Sequence, residues 1–161
     1  MITVEEVVEF LPSQNIDPNI INSQMRTVKE VYLEKMLGVN FYTQIDDQYN
    51  SDTLTTANEL LLDKYLKPIL ANYILWRCLP HIKTEISSNG LNVLVPEYAN
   101  PSSQKDFDTL RNQILSTAEH YVERAIDYIR DNQSDYPLYS CVETINKTAQ
   151  PYLYNTFKNR Y

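Results

Sequence analysis

Glycine is almost missing from this chain. Gly38 and Gly90 are the only two in 161 residues. Few glycines leave few sites for tight or left-handed turns, so long regular elements are expected. Cysteine is as scarce, with Cys78 and Cys141 alone. Two cysteines without a secretion signal point to free thiols in a reducing compartment. Positive charge is also short. There are 14 Lys and Arg against 21 Asp and Glu, a net charge of −7. No basic stripe is visible, which argues against holding nucleic acid through its phosphates. The opening MITVEEVVEF has neither a basic start nor an apolar run, so no secretion signal is expected. No stretch approaches the length of a membrane span, and no membrane partner is expected. No internal repeat is present.

Catalytic signatures are missing too. There is no P-loop, no G-x-G-x-x-G and no nucleophile elbow. Cys78-x-x-His81 has a spacing seen in metal sites, but a closed zinc site needs four ligands. Only Cys141 and His120 remain, both distant in sequence. Cys78 sits in a strongly apolar segment, where a buried structural thiol is the simpler reading. Asp46, Asp47 and Asp52 lack the alternation and glycine of a calcium loop, and turn chemistry explains them. Tyr128, Tyr136 and Tyr139 have near-neutral surroundings, so packing explains them better than base stacking. No cofactor, no metal and no enzymatic activity are expected.

What the chain does carry is helical periodicity. Thr3-x-x-Glu6 is a capping box, and Val4, Val7, Val8 and Leu11 form one face before Pro12. Asp17 and Pro18 start a second helix, with Ile21, Met25, Val28, Tyr32 and Met36 at helical spacing and Gly38 at its end. Phe41 to Tyr49 is a short further segment. A third helix begins near Thr55 or Thr56. It is apolar over more than half its circumference from Leu61 to Trp76, and so is expected to be central. Pro68 should kink or split it, and Pro80 should end it. Ser103-x-x-Asp106 opens the longest helix, with Phe107, Leu110, Ile114, Ala118, Tyr121, Val122, Ala125 and Ile129 at period 3.6 up to Asp131.

Between residues 82 and 95 the period changes to two around Asn89-Gly90, which reads as a β-hairpin. The expected fold is therefore mainly α: a helical bundle with a long C-terminal helix, a small hairpin insertion and an extended C-terminal tail. Residues 1–131 form the domain and 132–161 the tail. That tail has no periodicity, yet it keeps Tyr136, Tyr139, Tyr152, Tyr154, Phe157 and Tyr161, with Pro137 and Pro151. Rings that cannot be buried at home are usually buried on a neighbour, so Tyr136, Pro137, Tyr139, Tyr152, Tyr154, Phe157 and Tyr161 are candidate interaction residues. Charge is uneven as well. Residues 1–66 hold eleven acids and four bases.

The order of these phrases is distinctive. A short capped helix is followed by "LGVNFY", "LLLDKYLKPILANYILWRCLPHI", the "NG" hairpin, "AEHYVERAIDYIRDN" and "YPLY". This order resembles the head–tail connector (adaptor) proteins of tailed bacteriophages, and is most similar to those of crAss-like and other Bacteroidales phages. The resemblance covers nearly the whole chain. It implies a structural virion protein at the portal vertex, present in the host cytoplasm during assembly. It also implies a homo-oligomeric ring, typically twelvefold, beneath the portal protein, which extends the DNA channel and docks downstream tail or ring proteins. DNA would pass without specific binding. In that setting Glu5, Glu6, Glu9, Asp46 and Asp47 are candidate channel acids, because negative charge repels DNA. The alternative is a small helical adaptor or scaffolding protein acting as a monomer or dimer.

Overall fold

A computed structural model describes residues 1–10, 16–87, 90–93 and 104–139, and the chain is mainly helical. Local chemistry sets the helix starts. Helix α1 (Val4–Glu9) is opened by Thr3. The Thr3 N–H donates to Glu6 Oε2 at 2.9 Å, and the Glu6 N–H donates to Thr3 Oγ1 at 3.3 Å. Two otherwise orphaned donors are thereby satisfied. Leu11 and Pro12 lie outside the described residues. Helix α2 (Pro18–Val28) is capped by Asp17, whose Oδ1 accepts from the Asn19 N–H at 2.8 Å.

Past Val28 the helix widens into a π turn, Lys29–Leu33, before α3 (Glu34–Leu37). This changes which face is buried. Simple 3.6 spacing would carry the core face from Val28 to Tyr32 and Met36. The π turn adds a residue, so Leu33 and Leu37 are buried while Tyr32 and Met36 are only partly covered. Gly38 follows with φ 79° and ψ 149°, backbone that a side chain strongly disfavours. It turns the chain into α4 (Val39–Asn50), a helix longer than the segment expected there, with Phe41 and Ile45 buried.

Thr55 caps α5 (Thr56–Leu61), which runs through a second π turn, Leu62–Leu66, into α6 (Lys67–Lys83). The expected break at Pro68 takes this form. Proline cannot donate to the preceding turn and its ring crowds the carbonyl four residues back. The turn before it widens, and the Lys67 N–H reaches back to the Leu62 carbonyl. Pro80 does not end the helix. It lies in the last turn, and α6 continues to Lys83. The residues from Thr84 then change to strand: β1 (Thr84–Ser87) pairs antiparallel with β2 (Gly90–Val93), Thr84 opposite Val93. Ile82 and Lys83, read from sequence as part of a hairpin, thus belong to the helix.

Helix α7 (Gln104–Asp131) has 28 residues and spans about 42 Å. It runs antiparallel to α6. Tyr65 stacks on Tyr128 at 4.8 Å, and the Arg111 guanidinium lies over the Trp76 ring at 4.6 Å. Ala118 and Ala125 are fully buried, and their small side chains let the two helices approach closely. Leu110, expected on the core face, is 45% exposed, one of several apolar residues on the N-terminal half of α7 that are not fully covered. The core is centred on α6 and the π turn before it, where Leu66, Leu70, Ile74 and Cys78 are fully buried.

Candidate functional site

The first of the proposed tail residues do not leave the domain. After α7 a single 3-10 turn, Gln133–Asp135, brings Tyr136 back over the body. Tyr136 is 0% exposed, and its hydroxyl donates to the Ala57 carbonyl at 2.9 Å. Its ring meets Phe41 edge-on at 5.6 Å and Tyr128 at 6.1 Å. Tyr139 is buried too, edge-on to Phe41 at 6.1 Å. Burial, and the Tyr128 hydroxyl beside it, push the Tyr136 phenol well above the usual tyrosine range. Edge-to-face packing and a satisfied hydroxyl account for this position. The domain therefore extends through at least Tyr139, and the boundary expected at residue 131 is corrected. Tyr136 and Tyr139 are core residues of their own chain. Pro137 and Leu138, between them, remain exposed. Tyr152, Tyr154, Phe157 and Tyr161 lie outside the described residues, as does Cys141.

The candidate acids separate into two kinds. Glu6 is occupied inside the domain: its Oε1 accepts from Lys67 Nζ at 2.6 Å, and Lys67 also pairs with Asp63 at 2.7 Å. Partial burial raises the Glu6 pKa, but the Lys67 ammonium and the Thr3 N–H outweigh it and hold the carboxyl below the usual range. Glu5, Glu9 and Asp47 are exposed. Asp46 is partly covered, and its Oδ2 accepts from Asn50 Nδ2 at 3.2 Å. On Glu5 the backbone N–H at its own position and the Thr3 hydroxyl lower the pKa.

Cys78 is fully buried in α6, and burial pushes its thiol up to about 11, against a smaller opposing effect of Arg77. A thiol kept neutral is a poor nucleophile and a poor metal ligand. Among the described residues no group of three or more His, Cys, Asp or Glu side chains comes together.

A polar cluster that sequence reading missed joins α2 to α6. Gln24 is 8% exposed, and its Oε1 accepts from Arg77 Nε at 3.1 Å. Its Nε2 donates to Ser23 Oγ at 3.1 Å and approaches His81 Nε2 at 3.4 Å. Because Arg77 can only donate, it sets the orientation of the Gln24 amide. The partners are 53 and 57 positions apart, so no local spacing signals them. A second polar contact, Asn58 Nδ2 to Gln48 Oε1 at 2.6 Å, ties α5 to α4 near the Tyr136 anchor.

Among the described residues no helix is long and apolar enough to cross a membrane. Comparison with curated proteins and with solved structures gives no match. A family model does match, over residues 33–149, which takes in α4 to α7 and the Tyr136 anchor. The chain belongs to DUF6712, a family of unknown function.

Proposed function

We propose that this chain is a structural protein of tailed-phage virions, a head–tail connector without catalytic role that forms a ring beneath the portal. The observation that carries the reading is the anchored exit of the C-terminal segment. Tyr136 and Tyr139 hold the chain against Phe41 and Ala57 at a defined place on a helical body. Residues 140–161 follow, with four further aromatic residues among them. In this reading Tyr152, Tyr154, Phe157 and Tyr161 are the interaction anchors, and the extended tail starts after Tyr139. The β-hairpin insertion and the helical body supply the different faces that a closed ring requires.

In this reading fewer acids are free to line a channel. Glu6 is taken up by Lys67 within the domain. The exposed Asp47 and its neighbour Asp46 on α4 are the acids we assign to a channel mouth. The test is light scattering on the purified chain, alone and with the portal protein, for the full chain and for a chain ending at Tyr139. A ring on the portal that is lost with residues 140–161, at unchanged thermal stability, supports the connector. A monomer or dimer under all conditions supports the small-adaptor alternative instead.

A further inference from the structure

Helices α2 and α6 contain no aspartate or glutamate, although the chain carries 21 acids. Between them they hold Arg26, Lys67, Arg77 and Lys83. Arg26 pairs with Glu30, and Lys67 with Glu6 and Asp63. Arg77 differs. Its Nε is committed to the neutral Gln24 amide, and among the described residues no carboxylate pairs with its guanidinium. That amide is itself buried and held by Ser23, so the Nε bond fixes the plane of the guanidinium. His81 is exposed one turn further along α6, and Ile82 beside it is 39% exposed.

The complementary feature lies on α1. Glu5 and Glu9 are exposed four residues apart on one face, and among the described residues neither has a cation within ion-pair distance. Phe10, next to Glu9, is 46% exposed. The Glu6–Lys67 pair places α1 near the start of α6, whereas Arg77 lies ten residues on, about 15 Å along the helix axis. The two patches are thus separate on one molecule, of opposite charge, and each is bordered by an exposed apolar side chain. Such a pair of patches suits a heterologous contact, which gives a ring where the rotation between successive copies closes.

We propose that the Arg77–His81 surface of one copy of this chain docks the Glu5 and Glu9 carboxylates of a second copy. The contact rests on the ring-forming reading above. A planar, preoriented guanidinium suits bidentate capture of a carboxylate. The ordering of Arg77 by Gln24 lowers the entropic cost of that capture.

The test is charge reversal, read by light scattering under the conditions in which the wild-type chain assembles, with thermal melting for each variant. Arg77→Glu, His81→Glu and the pair Glu5→Arg/Glu9→Arg should each weaken assembly by about tenfold or more. His81→Glu changes an exposed residue and serves if Arg77→Glu proves unstable. A chain carrying Arg77→Glu with Glu5→Arg/Glu9→Arg should assemble again, because the charges at positions 77 and 5/9 are then exchanged. An equimolar mixture of the two singly reversed chains should assemble for the same reason. Normal assembly of both the Arg77→Glu and His81→Glu variants, or no recovery in the doubly reversed chain, overturns the contact while leaving the ring intact. A wild-type chain that never assembles, with or without portal, overturns the ring itself.

Discussion

The Tyr136 hydroxyl donates 2.9 Å to the carbonyl of Ala57, a residue 79 positions earlier. This bond and the edge-on contact with Phe41 close the chain after α7 onto α4 and α5. Tyr136→Phe should cost about 1 kcal/mol, the net contribution of the one hydrogen bond to the partly covered Ala57 carbonyl. Tyr136→Ala should cost about 3–5 kcal/mol through the cavity it leaves. Chemical denaturation of both variants checks the order. A chain ending at Asp131 should be destabilised at least as much as Tyr136→Ala, and a chain ending at Tyr139 should not.

The core position of α6 predicts a graded response. Leu70 is fully buried, and Leu70→Ala should cost about 2–5 kcal/mol. Ile114 on α7 is only partly covered, so Ile114→Ala should cost clearly less. Equal losses in the two variants would count against the described packing of α7 on α6.

The Glu6–Lys67 pair makes stability pH-dependent in one direction. The Glu6 carboxyl titrates lower in the folded chain than in the unfolded one. Its contribution is therefore present above the ordinary glutamate range and is lost as the pH falls through the folded value. Thermal melts of the wild type and Glu6→Gln should differ most at neutral pH and converge in acid. A difference that stays constant or grows as the pH is lowered contradicts the pairing.

Cys78 should resist alkylation. With its thiol at about 11 and no exposure, it should react with iodoacetamide at neutral pH far more slowly in the folded chain than in denaturant. Peptide mass spectrometry separates its signal from that of Cys141. Equal rates in the two states would show that α6 opens readily.

Gly38 should be irreplaceable at low cost. Its φ of 79° with ψ 149° lies where a Cβ is strained, so Gly38→Ala should cost about 1–3 kcal/mol. Calorimetry measures it directly. A loss near zero would mean that the turn between α3 and α4 can relax.

Features set by neighbours in sequence were legible beforehand. Thr3 with Glu6, Asp17 with Pro18, Thr55 and Gly38 each act within a few positions, and each marks a helix end in the structure. The apolar density around Leu66 and Leu70 likewise marked the central helix. What periodicity could not show was a change of period inside a helix. Nothing near Lys29 announces the added residue that exchanges Tyr32 and Met36 for Leu33 and Leu37 in the core. The Gln24–Arg77 bond was hidden by its separation in sequence. The loss of period after Asp131 was correctly seen, but its first eight residues return to the domain. The tight pair of aromatics at Tyr136 and Tyr139, directly after a helix carrying Tyr128, was the available sign.

The Tyr136 anchor also has a mechanical consequence. A pull on the chain beyond Tyr139 loads the aromatic contacts with Phe41 and the Ala57 carbonyl before it reaches the last turn of α7. The load then passes sideways into α4 and α5 instead of peeling α7 from its end. A partner held by residues 140–161 would therefore pull on the body of the domain, with Tyr136 acting as the pin.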